Sequence, residues 1–544
     1  MVQGTRLEYS SNPSDFDLAR GSSSGTGTSY AEPLEGRPAE GGLAIKCEGE
    51  SIGMRKNHSS LSFVILLLVT QSVRGDTFVV KEDDGNTASV EARLVGEGRG
   101  MVALERTDGR IEFVPQSQIL KREVGPDPEP ISCATMVGRL TEKFGADRFR
   151  AVIDAPYVVG LVLSEPLPKL YENKATSCLK KGATFMKTVE KVFLGFINEL
   201  KIETEKPRFP LVLLIFETDD DFMQFATEET GGRGLSAGLM LGYYSGLTNR
   251  LVIRMSECHT FTTPLHEAIH QQVFNRGILQ RLSPVPVWFN EGIATGFEGN
   301  GDKISGGPLK VSARYARAAM RAKTVDWDDV VADDKAFRGD VLASEAYAHA
   351  WSIHWFLVTK YRKQYVEYLQ ILGQKPPLQI DDAQTRTRDF ERVFGKRIGK
   401  LQSEFPQSLE SAVKKQKISL VEEKPVGYFT AQLNLAEVEI SASKEAGGGA
   451  FETEGHLKNV SQIRPMSYVV TVETDTGTYA EWFLSSVAPS KVVPLSKQLA
   501  QKRMNGAPGG AAQTFRVKVK AAVPDGEIGK TWQRGQLPVP VWSE

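Results

Sequence analysis

Apolar residues follow two different spacings in the middle of the chain, and the spacing predicts the secondary structure. Helical spacing over residues 182–200 predicts a helix, whereas the short apolar run 211–216 predicts a buried strand. Residues 241–254 predict further strand structure, interrupted by a turn at 246–249. Helical patterns continue at 262–276, 291–298, 312–323, 343–373 and 389–415. Residues 136–420 are therefore expected to form an α+β domain with a small sheet and a mostly helical half.

Alternating apolar and polar residues predict β structure on both sides of this domain. Residues 76–124 contain short β-rich runs separated by turn signals, and we expect a small SH3-like β-barrel that acts as a binding module or as a spacer. The proline-rich residues 125–135 are the expected linker. Residues 427–544 alternate again and are expected to form a β-sandwich module with a flexible C-terminal part.

The N-terminal residues carry the pattern of an export signal that follows a disordered segment. Residues 1–53 are rich in Gly, Ser, Glu and Pro and have no periodic apolar face, so we expect disorder. Within residues 54–75, two basic residues precede the apolar run Leu61–Val69, which is too short for the roughly 20 residues of a membrane-spanning helix. We expect a signal peptide that starts at Met54, with residues 1–53 not translated. The expected location is periplasmic, cell-surface or extracellular, with no stable membrane span.

Composition and charge narrow the classes of function. The chain has 544 residues, of which 41% are apolar, and this is enough for about two to four domains. Its 66 basic and 67 acidic residues give a formal net charge of -1. Because no overall field attracts nucleic acid, we expect no nucleic-acid partner.

The cysteines do not form a recognisable metal or disulfide framework. Four are present, too few for a disulfide scaffold, and they lack the CxxC spacing of a structural zinc site. Without residues 1–75 Cys47 is absent, and three cysteines remain in an oxidising compartment. We expect Cys133 to pair with Cys178 and Cys258 to be the unpaired thiol.

One short motif carries metal-binding chemistry. His266, Glu267 and His270 form the pattern HExxH in a segment of helical spacing. Histidines four residues apart share one helical face, so their imidazole nitrogens can bind one tetrahedral Zn²⁺ while Glu267 projects beside it. The site needs a third ligand. Glu291, at the start of a second predicted helix about 20 residues further on, is the expected one.

These residues resemble the gluzincin zinc metallopeptidases, in particular the peptidase MA-like group. That group has HExxH followed by a Pro, a Trp and an EGxA helix, matched here by Pro286, Trp288 and residues 291–294. The resemblance implies a zincin-like core that binds one zinc ion per chain through His266, His270 and Glu291. It further implies that Glu267 is the general base in hydrolysis of peptide bonds and that the partner is a peptide or protein substrate.

In related enzymes the developing oxyanion is stabilised by the metal and also by a hydrogen bond from a Tyr or His in the helical half. Tyr347, His349 and His354 lie on one predicted helix. Tyr347 best matches the third helix of the family, and His349 is the second candidate for this catalytic role. The alternative is that these side chains are packed core residues with local hydrogen-bond partners.

The resemblance also implies a strand for substrate binding, because in zincins an extended substrate pairs with an edge strand over the metal. Residues 241–254 are the candidate strand, with Gly242, Tyr243 and Tyr244 as candidate substrate-binding residues. Ordinary strand packing is the alternative for this run. Glu298, two turns beyond Glu291, is expected to orient His266 or to act as a surrogate ligand.

Two other classes of function compete with an exported zinc metallopeptidase. One is a catalytically silent zincin-fold scaffold, against which the intact Glu267 argues, since a structural zinc site needs its ligands but no base. The other is a surface-attachment protein whose β modules contact the cell surface or wall. The sequence contains no GAMEN-like exopeptidase motif, which favours cleavage within a chain, but no segment indicates the substrate.

Overall fold

A mixed α+β architecture is confirmed, with the sheet that the strand patterns predict at its centre. The computed structural model describes residues 76–82, 84–230, 241–259, 262–298, 304, 307–321, 326–337, 343–420, 428–433, 435–444, 451–474, 478–499, 501–502 and 515–524. The predicted disordered segment and signal peptide lie outside the described residues. Those that are described from Asp76 onward fall within one compact unit.

The N-terminal module consists of six short strands. They are β1 (Thr77–Lys81), β2 (Thr87–Glu91), β3 (Arg93–Gly98), β4 (Met101–Glu105), β5 (Ile111–Pro115) and β6 (Ile119–Glu123). The strands form two three-stranded antiparallel sheets, in the orders β2-β1-β6 and β3-β4-β5. Phe78 from one sheet and Val102 and Leu104 from the other share a small core. Within residues 77–123 the structure therefore shows two open sheets and no closed barrel.

A five-stranded sheet forms the centre of the molecule. Its segment of chain contains α1 (Cys133–Phe144), β7 (Phe149–Asp154), β8 (Tyr157–Val162), α2 (Glu172–Glu199), β9 (Leu211–Phe216), α3 (Asp219–Thr230), β10 (Gly242–Ser245) and β11 (Arg250–Arg254). The strand order is β10-β11-β9-β8-β7. The β8/β9 and β9/β11 pairs are parallel, and the two outer pairs are antiparallel. The predicted strand at 241–254 is therefore a hairpin, and β10 is an edge of the sheet.

Helices cover both faces of this sheet, which explains why β9 is apolar along its whole length. Val212 and Leu214 point to the face that α1 and α3 cover. Leu213 and Ile215 point to the other face, which packs against α2 and the first helix of the helical half. This arrangement places that first helix directly beneath the edge hairpin.

The helical half contains eight helices in the part of the chain that the structure describes. They are α4 (Thr262–Asn275), α5 (Val287–Phe297), α6 (Ala313–Arg321), α7 (Trp327–Ala332), α8 (Ala343–Lys360), α9 (Arg362–Gly373), α10 (Ala383–Phe394) and α11 (Ile398–Gln416). Their packing buries a large aromatic cluster that includes Trp288, Trp351 and Tyr368. No helix among the described residues is long and apolar enough to cross a bilayer.

Two of the predicted helices are each divided into two. The predicted helix at 343–373 breaks at Tyr361, whose backbone (φ -127°, ψ 44°) leaves the helical region between α8 and α9. The predicted helix at 389–415 breaks at Gly395, which caps α10 in the left-handed conformation (φ 60°). An apolar pattern with helical spacing continues across both breaks because both sides of each break pack on the same core.

Two four-stranded sheets form the C-terminal module. Their strands are β12 (Tyr428–Leu433), β13 (Ala436–Lys444), β14 (Phe451–Asn459), β15 (Met466–Thr474), β16 (Thr478–Val487), β17 (Val492–Leu499), β18 (Gln501–Lys502) and β19 (Phe515–Ala522). The orders are β12-β13-β14-β17 and β18-β16-β15-β19. Buried residues of both sheets, such as Val438 and Val470, belong to the same hydrophobic cluster as the helical half. The module is thus packed onto the central domain.

The predicted Cys133–Cys178 disulfide is wrong. Both thiols are free, as is that of Cys258. Cys133 packs with the cluster on the α1 side of the central sheet, whereas Cys178 lies on α2, which covers the opposite face. The central sheet thus separates Cys133 from Cys178.

Candidate metal centre

Helix α4 presents both histidines of the HExxH pattern on one buried face. His266 is 0% exposed and His270 is 6% exposed, and their Nε2 atoms are 3.1 Å apart. Because the two residues are four positions apart, one helical turn separates them and their rings meet at the same point. The predicted convergence of the two imidazoles is confirmed.

Helix α5 brings the third side chain to the same point. The Oε2 atom of Glu291 is 3.0 Å from Nε2 of His266 and 3.5 Å from Nε2 of His270. Ligand atoms of a tetrahedral zinc ion at 2.0–2.1 Å are about 3.3 Å from one another. The three observed separations lie close to this value, and these three residues form a group able to hold a metal ion. The residues present therefore fit a metal, although the group does not identify which one.

The position of α5 depends on its glycines. Gly292 faces α8 so closely that a Cβ atom would lie 2.8 Å from Cβ of His354 and 2.9 Å from the carbonyl oxygen of Ala350. A Cβ on Gly296 would lie 3.2 Å from the ring of His354. Small residues one turn apart thus let α5 lie flat against α8. This contact fixes the depth at which Glu291 enters the centre.

The Nδ1 atom of His266 also has a hydrogen-bond partner. Nδ1 of His266 is 2.8 Å from Oε1 of Glu298, and the Tyr315 hydroxyl donates to the same oxygen at 2.9 Å. Arg314 lies 3.4 Å from the other oxygen of Glu298. Of the two roles predicted for Glu298, the geometry supports orientation of His266, because Glu298 contacts Nδ1 while Nε2 faces Glu291. Tyr315 and Arg314 had no sequence signal, since α6 approaches the centre only through the tertiary fold.

Burial and the neighbouring histidines act on the pKa of Glu291 in opposite directions. Burial by itself would raise the pKa of Glu291, but the charge of His270 and the hydrogen bonds from His266 and His270 bring that pKa below its ordinary value. The carboxylate is therefore ionised at neutral pH. An anionic oxygen beside two imidazoles is a donor set typical of zinc.

Glu267 is bound to the edge strand of the central sheet. Its Oε2 atom accepts a hydrogen bond from the backbone N–H of Tyr244 at 2.8 Å, and the side chain is 3% exposed. Because strand positions alternate, the backbone of Gly242 also faces the open edge of β10. The backbone of this strand, close to the carboxylate of Glu267, therefore forms one border of the site.

The tyrosine side chains of the candidate substrate strand are engaged elsewhere. The hydroxyl of Tyr243 donates to Glu229 at 2.5 Å, and the hydroxyl of Tyr244 donates to Asn249 at 2.8 Å. Burial raises the pKa of Tyr244 to about 12. Both phenol rings pack in the interior, so what β10 offers to the site is its backbone.

The three candidate oxyanion donors occupy different places on α8. The ring centroid of Tyr347 is 6.2 Å from that of His266. His349 is two residues further on, which places it about 200° round the helix axis from Tyr347. His354 is fully buried against α5, and its Nε2 atom is 2.8 Å from the hydroxyl of Tyr365. Tyr347 is thus the candidate that the fold brings beside the histidines.

Burial controls the protonation of both α8 histidines. It lowers the pKa of His349, an effect that the charge of Glu345 partly opposes. It lowers the pKa of His354 to about 3. His354 is therefore neutral at any physiological pH and serves as a packed core residue, the alternative that the sequence left open.

Comparison with known proteins places a family match over this part of the chain. A family model described as "Protein of unknown function (DUF1570)" matches residues 260–379. No curated protein matches the chain. The matched range contains the His266, His270 and Glu291 group, and the description of the family assigns no activity to it.

Proposed function

We propose that this protein is an exported zinc-dependent metallopeptidase of the gluzincin type, with a zincin-like core. The observation that carries the proposal is the triangle of ligand atoms, with sides of 3.0, 3.1 and 3.5 Å, and two of these atoms belong to the helix that also carries Glu267. When bound, zinc would polarise a substrate carbonyl and lower the pKa of a water molecule to about 7. Two neutral imidazoles and one carboxylate would leave the ion with a net positive charge.

The residues around the centre have distinct roles in this proposal. Glu267 takes a proton from the attacking water and returns it to the leaving amine. The N–H of Tyr244 holds the carboxylate of Glu267 in place. Tyr347, beside the ring of His266, supplies the hydrogen bond that stabilises the developing oxyanion. Glu298 keeps the proton of His266 on Nδ1 and so leaves Nε2 free to bind the metal.

The substrate is a peptide that lies along β10. This strand is at the edge of the central sheet, so the outward backbone groups that Glu267 does not occupy can pair with an extended chain. The hydrogen bond from Tyr244 to Glu267 brings that edge next to the proposed general base. A bound peptide would thus have its carbonyl carbon near both the metal and the base.

A silent scaffold is the second candidate function. It would retain the metal ligands, because they stabilise the packing of α4 against α5, but it would not need Glu267. Attachment to a cell surface through the β modules is a third candidate. Against it stands the packing of the C-terminal sheets into the same hydrophobic cluster as the helical half, which uses part of their surface inside the molecule.

The test combines two measurements on the full chain. One is its metal content, and the other is its ability to hydrolyse a peptide library. We expect about one zinc per chain in the wild type and in Glu267→Gln, and a fall in hydrolysis of about 100-fold or more in the variant. Glu257→Gln is the matched control, since Glu257 is a buried acid that accepts from Thr263 of α4. Full activity in Glu267→Gln would refute the mechanism. Zinc binding without hydrolysis in the wild type would favour the scaffold.

A further inference from the structure

A cavity beside α2, away from the candidate metal centre, has the features of a binding site. It has a volume of about 1140 Å³, slightly above the usual range of about 300–1,000 Å³ for small-molecule sites. Its lining runs along α2 from Asn173 to Thr188, a distance of about 22 Å at the rise of an α-helix. The cavity is therefore long enough for an extended ligand.

The lining of this cavity is divided by polarity. Its apolar wall includes Phe185 of α2 and Leu213, Ile215 and Ile253 of the central sheet. Its open side is the exposed polar face of α2, which carries Thr176 and other hydroxyl and amide side chains. An occupant with one long apolar side would bury that side against the sheet and the aromatic ring.

Two lysines give the open side a positive charge. Lys180 and Lys181 both line the cavity and are both exposed. Neither forms an ion pair with a residue that the structure describes, and the described lining contains no acidic side chain to neutralise them. The ligand should therefore carry an anionic head.

We propose that this cavity binds a long-chain fatty acid, with the acyl chain on the apolar wall of sheet residues and the carboxylate at Lys180 and Lys181. Lys180 and Lys181 lie midway along this 22 Å length, about 11 Å from either end at the rise of an α-helix, so an acyl chain longer than this would turn from α2 toward the sheet residues of the lining. The proposal does not depend on the proposed peptidase activity. The cavity adjoins the start of α4 at Pro264 and is lined by residues outside the metal group.

The first test measures selectivity for charge by calorimetry on the full chain, with probes below their micelle concentration. We expect dodecanoate to bind more tightly than dodecanol and much more tightly than dodecyltrimethylammonium. The double variant Lys180→Glu/Lys181→Glu should bind dodecanoate about tenfold or more weakly. The control Lys174→Glu/Lys191→Glu makes the same change in charge on α2 outside the cavity and should bind it normally. Absence of dodecanoate binding, or equal affinity for all three probes, would overturn the proposal.

The second test locates the ligand in the wild type and needs no variant. Cys178 and Cys258 line the cavity, whereas Cys133 packs on the opposite face of the central sheet. We expect dodecanoate to slow alkylation of Cys178 and Cys258 by a neutral maleimide and to leave the rate at Cys133 unchanged, as read by peptide mass spectrometry. Binding of dodecanoate with no protection of either cavity thiol would place the ligand elsewhere and overturn the assignment.

Discussion

His266 links the candidate metal centre to the surrounding core through both of its ring nitrogens. Nε2 faces His270 and Glu291, and Nδ1 faces Glu298, which also accepts from Tyr315. A proton on Nδ1 leaves a lone pair on Nε2, which is the form of imidazole that binds a metal. The contact with Glu298 thus fixes the orientation of the ring, with Nε2 facing the other two residues of the metal group.

Removal of the acceptor at Glu298 should weaken metal binding. We expect Glu298→Ala to raise the dissociation constant for zinc by about 10- to 100-fold, because Nδ1 of His266 loses the oxygen that orients it. Glu298→Gln keeps an acceptor oxygen, so we expect a smaller rise in its dissociation constant for zinc. Competition with a chelator of known affinity measures both values. Equal affinity in the wild type and Glu298→Ala would show that Glu298 does not position His266.

His354 should make folding stability depend on pH. Its pKa in the folded state is about 3, whereas an unfolded histidine has a pKa of about 6.5. Between these values the unfolded chain binds a proton that the folded chain excludes, so this contribution to stability is complete above about pH 6.5 and is lost as the pH falls toward 3. Each pH unit in the window should lower the free energy of unfolding by up to about 1.4 kcal/mol. Urea unfolding should show a flatter pH profile in His354→Gln, and an unchanged profile would contradict the assignment.

At the scale of elements, the contact between α5 and α8 sets the position of Glu291. Gly292 and Gly296 form a flat surface on α5, and His354 and Ala350 of α8 lie against it. The third ligand and the packing surface are therefore adjacent in sequence. A shift of α5 away from α8 would move Glu291 relative to the two histidines on α4.

Gly292→Ala should disrupt the centre through this contact. The new Cβ would lie 2.8 Å from Cβ of His354 and 2.9 Å from the carbonyl oxygen of Ala350. Both atoms belong to α8, so the two helices must separate. We expect a loss of about 1–3 kcal/mol in stability and weaker zinc binding. Gly195→Ala is the control, because Gly195 lies in α2 with no neighbouring atom within 4 Å. Normal zinc affinity in Gly292→Ala would show that the contact does not position Glu291.

The sequence predicted the elements whose pattern is local. The strand at 211–216, the strand structure with a turn within 241–254 and the convergence of His266 and His270 on one face of α4 follow from spacing alone, and the structure shows all three. The breaks at Tyr361 and Gly395 were missed, because apolar residues continue on both sides of each. The sequence also did not predict that the side chains of Tyr243 and Tyr244 point inward. A strand that is covered on both faces has no polar side from which its orientation can be predicted.

At the scale of the molecule, the C-terminal sheets are held to the central domain by a buried ion pair as well as by apolar packing. Arg464 precedes β15 and contacts Glu217, which follows β9, with Nε and Oε1 2.7 Å apart. Glu217 also accepts from the backbone N–H and the hydroxyl of Ser164. Burial raises the pKa of Glu217, and the charge of Arg464 opposes that rise. The pair therefore joins two modules that the sequence treats as separate.

Arg464→Ala should destabilise the whole molecule. It would leave the carboxylate of Glu217, which is 0% exposed, without its charged partner, at a cost of about 3–5 kcal/mol. Lys414→Ala, which removes an exposed ion pair with Glu410, should cost less than about 1 kcal/mol. Urea unfolding measures both changes. A similarly small effect for Arg464→Ala would show that the buried pair does not hold the modules together.

The central claim is that His266, His270 and Glu291 bind one zinc ion together. Diffraction from crystals grown with one equivalent of zinc, recorded on both sides of the zinc absorption edge, tests it most directly. We predict one anomalous peak about 2.0–2.2 Å from Nε2 of each histidine and from a carboxylate oxygen of Glu291. Zinc absent from this position, or bound with Glu291 turned away, would contradict the account.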